Sequence, residues 1–318
     1  MNHSKPPQKS VKTSYPSYPT WMQDNISSLG DKKLSEICIP GSHDSGMYKR
    51  TVGGKGGIDC NTLTQTYPIA GQLQYGARYF DIRPGIASGG FFYTGHYSET
   101  LGVWVGANGQ SIADIITDIN TFTESSNELI ILNLSHAINT NDGYRDLNQD
   151  EWYNLFSTLT AINHLFISQG GDLTSYSLNQ FIGGNKPAVV IIVQPKGSIS
   201  LGDYANNGFY LYDESFNVIN KYSDTDNFDD MKHDQIKKME KYAGSYFLLS
   251  WTLTQGIVEA AKCYDTPGLS IIDLANVAAA NLSDLLKHVT ANVKPNILYL
   301  DNIGNCDLVG TVMEINNI

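Results

Sequence analysis

The chain has 318 residues, 41% of them hydrophobic and 17% charged, and its 21 Lys and Arg stand against 32 Asp and Glu for a formal charge of −11. The hydrophobic fraction excludes a disordered polymer, and the negative balance excludes a basic nucleic-acid surface. No apolar run approaches the ~20 residues that a bilayer span needs, so an integral membrane protein is excluded as well.

Residues 1–20 are polar, carry Pro6, Pro7, Pro16 and Pro19, and lack the apolar core of a secretory signal. They read as a flexible tail, with any signal peptide absent or already removed, and the folded unit is expected over 21–318 as a single domain. Eight apolar runs then read as strands: Leu34–Ile39, Arg78–Arg83, Phe91–Gly95, Leu129–Leu134, Ala188–Val193, Phe209–Tyr212, Tyr246–Trp251 and Ile297–Leu300. Several are continuous in Ile, Val and Leu, which suits parallel strands covered on both faces. Between them, Ser111–Phe122, Gln149–Phe166 and Leu269–Val289 repeat apolar residues at helical spacing, with Ser111 placed to cap its helix and His164 on the buried stripe of the second. Alternating strands and helices point to an α/β fold, an irregular TIM-like (β/α)8 barrel, with the irregularity at the Phe91 strand. Cys38, Cys60, Cys263 and Cys306 are scattered without a C-x-x-C pair. A thiolate zinc site is therefore not expected, while one disulfide or four reduced thiols fit equally.

In such a barrel the functional side chains gather where the strands end. Strand one runs into Pro40-Gly41-Ser42-His43-Asp44-Ser45-Gly46, strand two ends in Asp81-Ile82-Arg83, and strand three runs into Gly95-His96. Strand four leads to Ser135-His136, strand five to Gln194 and Lys196, and strand eight to Asp301. Asp81 and Arg83 are two apart and project to the same side of their strand. Two imidazoles, a guanidinium and nearby carboxylates are what metal-free phosphodiester cleavage requires. One imidazole removes a proton, the other donates one, the guanidinium neutralises charge on phosphorus, and the carboxylates orient the rings.

The segments IPGSHDSG, QLQYGARYFDIRPG and GHYS, in this order, resemble the X-domain signatures of the bacterial phosphatidylinositol-specific phospholipases C. The resemblance is motif-specific in the first half of the chain and one of pattern in the second. It implies that His43 is the general base toward the inositol 2-hydroxyl, with Asp301 behind it. His96 would be the general acid, partnered by Asp44, while Arg83 would bind the phosphate and Asp81 hold Arg83. It further implies that phosphatidylinositol is split to diacylglycerol and a 1,2-cyclic inositol phosphate at a membrane surface, by a secreted, monomeric diacylglycerol-lyase. GPI-anchored proteins are left open as further partners. Asn220-Lys221-Tyr222 resembles the family's Asp-x-Tyr segment, whose tyrosine stacks on inositol, with Asn in the first place. Tyr222, Asn220, Gln194, Lys196 and Ser135 are the candidate substrate contacts. Calcium-dependent relatives place carboxylates where Arg83 and Ser135 stand, and a permanent guanidinium repels the ion. No metal and no calcium are therefore expected.

Blander readings stand beside these. Asp81 and Arg83 could form a structural ion pair, Asp301 could simply end its strand, and His136 fits a structural role as well as the cleft rim. His233 and His288 read as solvated. The Gly-rich stretch 52–57 lacks the strand and Ser/Thr of a nucleotide loop and reads as a rim loop. Met47-Tyr48-Lys49-Arg50 before it reads as a strip facing lipid. The alternative functions are a lipid- or glycan-binding X-domain protein without turnover, and a metal-dependent glycerophosphodiester phosphodiesterase, which Arg83 argues against.

Overall fold

Parallel strands covered on both faces can be apolar at every position, and the runs Leu129–Leu134 and Ala188–Val193 are buried along their whole length. In the computed structural model, which describes residues 15–51, 56–100 and 102–318, they are adjacent inner strands of a curled sheet. In chain order the strands are β1 (Ile39–Ser42), β2 (Tyr79–Ile82), β3 (Pro84–Ile86), β4 (Phe92–Thr100), β5 (Val103–Ser111), β6 (Leu129–Leu134) and β7 (Ile138–Asn139). They continue with β8 (Arg145–Asp146), β9 (Ala188–Val193), β10 (Phe209–Leu211), β11 (Ile219–Asn220), β12 (Phe247–Ser250) and β13 (Ile297–Leu300).

Eight of them form a parallel sheet in the order β10-β9-β6-β2-β1-β13-β12-β11. Because all eight run the same way, their C-terminal ends share one face of the molecule. The circuit follows a TIM-like barrel, but no ladder joins β10 to β11 among the described residues, so the curl is open there. The remaining five strands make a second sheet, β5-β4-β3-β7-β8, at the C-terminal end of β2.

The α/β barrel class expected from the sequence is the one observed, with four corrections. The Phe91 run is not a barrel strand: it belongs to β4, antiparallel to β3 and β5, and Phe91 itself is 68% exposed. The eighth barrel strand is β11, whose two residues are too few to show a period. The first strand starts at Ile39, since Leu34–Glu36 is a 3₁₀ turn. Lastly, the helix expected over Gln149–Phe166 is Gln149–Leu159, and His164 is exposed in a left-handed turn (φ 60°), its carbonyl accepting from Val189 N. Periodicity survived past the helix end because Ile162 and Leu165 still pack inward.

Ser111 caps the helix Ile112–Thr123 by accepting from Asp114 N. At the N-terminal end of the sheet, fully buried Arg78 and Glu128 pair at 2.9 Å. Arg78 also donates to the carbonyl of Pro19, and Glu128 accepts from Met22 N and Gln23 N, so the pair ties residues 19–23 to the sheet. Cys60 and Cys263 form a disulfide, whereas Cys38 and Cys306 are free. Among the described residues no helix is long and apolar enough to cross a membrane. Residues 52–55 of the Gly-rich stretch lie outside the described residues. Met47, expected to face lipid, is fully buried and its carbonyl accepts from Thr64 N and Gln65 N.

Candidate active site

The turn after β1 carries His43 and Asp44, the end of β2 carries Asp81 and Arg83, β4 carries His96, and Asp301 follows β13 directly. Asp44 has φ 40° and Asn302, beside Asp301, φ 54°, so backbone in the left-handed region clusters at this mouth. Gly46 closes the first turn against the hairpin: a Cβ there would lie 2.2 Å from Thr94 Oγ1, two residues before His96. The turn is also held by Gln65 Nε2, which donates to the His43 carbonyl at 2.8 Å, and by Thr64 Oγ1, which donates to the Asp44 carbonyl at 2.9 Å.

Arg83 is the hub. Its Nε donates to Asp81 Oδ2 (3.0 Å), one terminal nitrogen donates to Asp44 Oδ2 (3.3 Å), and the other lies 2.7 Å from His43 Nε2. A guanidinium has only donors, so His43 Nε2 presents a lone pair and the ring proton sits on Nδ1, donated to Asp301 Oδ1 at 2.7 Å. His96 Nδ1 lies 2.7 Å from Asp44 Oδ2, the same oxygen that Arg83 reaches. A contact chain His43–Arg83–Asp44–His96 therefore crosses the mouth. The side chains of His43, Arg83 and His96 are 22%, 17% and 24% exposed while those of Asp44, Asp81 and Asp301 are at most 5%. The basic groups face the cleft and the carboxylates stand behind them.

Burial works against the Arg83 charge, but Asp44 and Asp81 outweigh it and raise its pKa, leaving a permanent cation. Burial pushes the Asp81 carboxyl up, yet Arg83, the neighbouring histidines and the Ser135 bond hold it well below the usual carboxylate range. For His43, burial lowers the pKa and so does Arg83, but Asp301, joined by a smaller pull from Asp81, more than compensates and the net shift is upward. Asp81 is saturated: Oδ2 also accepts from Tyr299 Oη (2.7 Å) and Asp44 N (3.2 Å), and Oδ1 accepts from Ser135 Oγ (2.5 Å). Asp44 Oδ1 is buried without a hydrogen-bond partner among the described residues.

The structure thus brings His43, Asp44, Asp81, Arg83, His96, Ser135 and Asp301 into one cluster. Gln194, after β9, sits beside it and accepts from Asn133 Nδ2 at 3.0 Å, and Asn133 is in register with Asp81. Asn220 and Tyr222 are exposed at the end of β11, Tyr222 at 60%, and among the described residues neither hydrogen-bonds to the cluster. Lys196 is drawn away. It pairs with Asp146 at 3.2 Å in a cleft of about 190 Å³ lined by Ala137, Asp146 and Trp152 but by none of the cluster residues. His233 and His288 are exposed. Among the described residues no group of three or more His, Cys, Asp or Glu is arranged to hold a metal ion.

One member, Tyr299, escaped the sequence reading, and another, His136, was left undecided by it. Tyr299 holds Asp81 and meets the His43 ring edge-on at 5.2 Å. It is two residues before Asp301, so the alternation used for Asp81 and Arg83 would have found it. His136, read there as either structural or rim, joins the cluster through Ser135: its Nδ1 lies 2.8 Å from the Ser135 Oγ that donates to Asp81. Nδ1 is therefore the protonated nitrogen. Arg83, and burial after it, lower the His136 pKa to about 4.

No family model matches the chain. A PI-PLC X-box domain-containing protein of Dictyostelium discoideum is 30% identical over 132 residues, 37% of this chain and 17% of that protein. The variant-surface-glycoprotein phospholipase C of Trypanosoma cruzi is 25% identical over 154 residues, covering 39% of this chain and 38% of that one. The matches thus span less than two fifths of these curated relatives. Among solved structures, a mutant of the phosphatidylinositol-specific phospholipase C of Staphylococcus aureus superposes with a TM-score of 0.63 at 17% identity, covering 97% of this chain and 99% of that one. The Listeria monocytogenes enzyme superposes with 0.58 at 16% identity, covering 94% and 97%. The fold is that of the bacterial phosphatidylinositol-specific phospholipases C, in keeping with the resemblance read from the sequence.

Proposed function

We propose that this chain is a phospholipase C that cleaves phosphatidylinositol to diacylglycerol and a 1,2-cyclic inositol phosphate without a metal ion. The observation that carries the reading is the Arg83 guanidinium lodged between His43 Nε2 and the Asp44 carboxylate that also holds His96. Three of the five N–H groups of Arg83 are engaged in these contacts and with Asp81, and one N–H on each terminal nitrogen remains for a phosphate oxygen.

On binding, a phosphate oxygen takes over the N–H now given to His43, which frees Nε2 for the inositol 2-hydroxyl. His43 removes that proton as the oxygen attacks phosphorus, and Asp301 stabilises the imidazolium that forms. Arg83 neutralises the added charge on the equatorial oxygens. His96, protonated and held by Asp44, gives its proton to the departing diacylglycerol oxygen. Each proton transfer contributes about 10²–10⁴-fold and the fixed cation a comparable share. Arg83 also argues for calcium independence, because a permanent cation occupies the position an ion would need. The Cys60–Cys263 disulfide supports a secreted enzyme, since such bonds persist in oxidising compartments. Residues 21–318 are proposed as the catalytic unit.

Phosphorus NMR on phosphatidylinositol vesicles, with and without chelator, tests this. A cyclic phosphodiester resonance that appears equally in both supports it. Strict calcium dependence removes the metal-free mechanism, and vesicle binding without turnover favours a lipid-binding protein instead.

A further inference from the structure

The disulfide lies at the mouth of the barrel. Cys60 belongs to the short helix Asp59–Thr62, which leads directly into Thr64 and Gln65, the residues that brace the His43 turn. Cys263 closes the helix Ile257–Lys262, which follows β12 on the same C-terminal face. No residue of that second helix is buried, and Ile257, Val258 and Tyr264 are 72%, 57% and 80% exposed. Such side chains, grouped on one short segment, form an apolar patch beside the site.

Among the described residues the hydrogen bonds that leave 257–264 reach only its chain neighbours Gly256, Asp265 and Thr266. The nearest tie is at its entry, where Gln255 Nε2 donates to the Cys60 carbonyl at 3.1 Å and to the Leu269 carbonyl at 2.5 Å. The covalent bond to Cys60 is thus what fixes the far end of the patch. The chemistry is anchored separately: Gln65 Oε1 accepts from Ile303 N at 2.9 Å, and the Thr64 carbonyl accepts from Asn302 N at 2.8 Å. The charges of Glu259 and Lys262 in this segment balance, and the whole chain carries −11. Attraction to an anionic surface is therefore not available, and a zwitterionic bilayer fits the patch.

We propose that the Cys60–Cys263 disulfide is a redox-sensitive staple that presents Ile257, Val258 and Tyr264 to a zwitterionic bilayer, so that its reduction weakens membrane adsorption and leaves the chemistry intact. This rests on the phospholipase reading for its purpose but is tested apart from it. A dithiol supplies the two electrons and two protons: its thiolate attacks one sulfur, the mixed disulfide resolves, and both cysteines end as thiols beside an oxidised cyclic dithiol.

The test is sedimentation with phosphatidylcholine vesicles free of inositol lipid, on oxidised protein, dithiothreitol-reduced protein, Cys60→Ser/Cys263→Ser and Ile257→Ser/Val258→Ser. It is paired with turnover of a monomeric short-chain phosphatidylinositol and with circular dichroism to verify folding. Each treatment is expected to weaken vesicle binding about tenfold, through lost apolar contact or through the added cost of ordering the segment. Turnover of the monomeric substrate should stay within about twofold, because no catalytic contact is touched. Unchanged vesicle binding on reduction and in the double-serine variant overturns the staple. Unchanged binding of Ile257→Ser/Val258→Ser, or a wild type that ignores the vesicles, overturns the patch. Equal losses of binding and soluble turnover on reduction overturn the separation of the two. A wild type without soluble turnover, but with redox-dependent vesicle binding, supports the staple and counts only against the phospholipase reading.

Discussion

Replacing Asp301 by Asn removes one charge from behind His43 while keeping the shape of the side chain. The carboxylate is 4% exposed and lies 2.7 Å from Nδ1. Two unit charges about 4 Å apart, at an effective dielectric near 20, attract by about 4 kcal/mol, and this is the gross interaction that raises the His43 pKa. Burial and Arg83 already oppose that rise. With Asp301 neutral, burial and Arg83 outweigh the smaller upward pull of Asp81, so the imidazole falls below its ordinary value of about 6.5. The base acts when unprotonated. The acid limb of kcat/KM should therefore lie above about pH 6.5 in the wild type and below it in Asp301→Asn. The plateau should fall by about 10²–10⁴-fold, because the weaker base gains less from the forming imidazolium and an amide can hold the ring in the wrong tautomer. Stability supplies an independent check. A raised folded-state pKa stabilises fully below the unfolded value and loses that contribution as pH rises through the folded one. The variant should therefore be more destabilised at about pH 5 than at about pH 9. An unmoved acid limb with a loss of less than about threefold would refute the role given to Asp301.

Arg83→Lys keeps the charge but cannot reach Asp81, Asp44 and His43 together; kcat/KM should drop by about 10²–10³-fold in a vesicle assay, with kcat carrying most of it. For His136→Ala, KM should rise while the pH profile between about 5 and 9 keeps its shape, since a group with a pKa of about 4 does not titrate there; a lost limb would assign it a proton-transfer role. Glu128→Gln strands the buried Arg78 guanidinium, and urea unfolding should show a loss of about 3–5 kcal/mol with activity of the folded fraction retained.

The barrel class and most of the side chains that gather at its mouth were legible in the sequence because both rest on short-range pattern. Apolar runs such as Ala188–Val193 announce strands covered on both faces, and the two-residue step from Asp81 to Arg83 places both side chains on one side. Local turns such as Ser42–Gly46 mark strand ends, which is where a barrel collects its polar groups. The eighth strand was not legible, since β11 is two residues long and is defined by its ladder to β12. Nor could chain order reveal that Phe91 pairs away from the barrel. Contacts across many residues were decided only by folding: Arg83 against His43 Nε2, Tyr299 against Asp81, and Cys60 against Cys263 across 203 positions. Periodicity says which side a residue faces and nothing about who stands opposite. The partner is chosen by the closing of the sheet, when carboxylates leave water and must find the donors that the neighbouring strands carry.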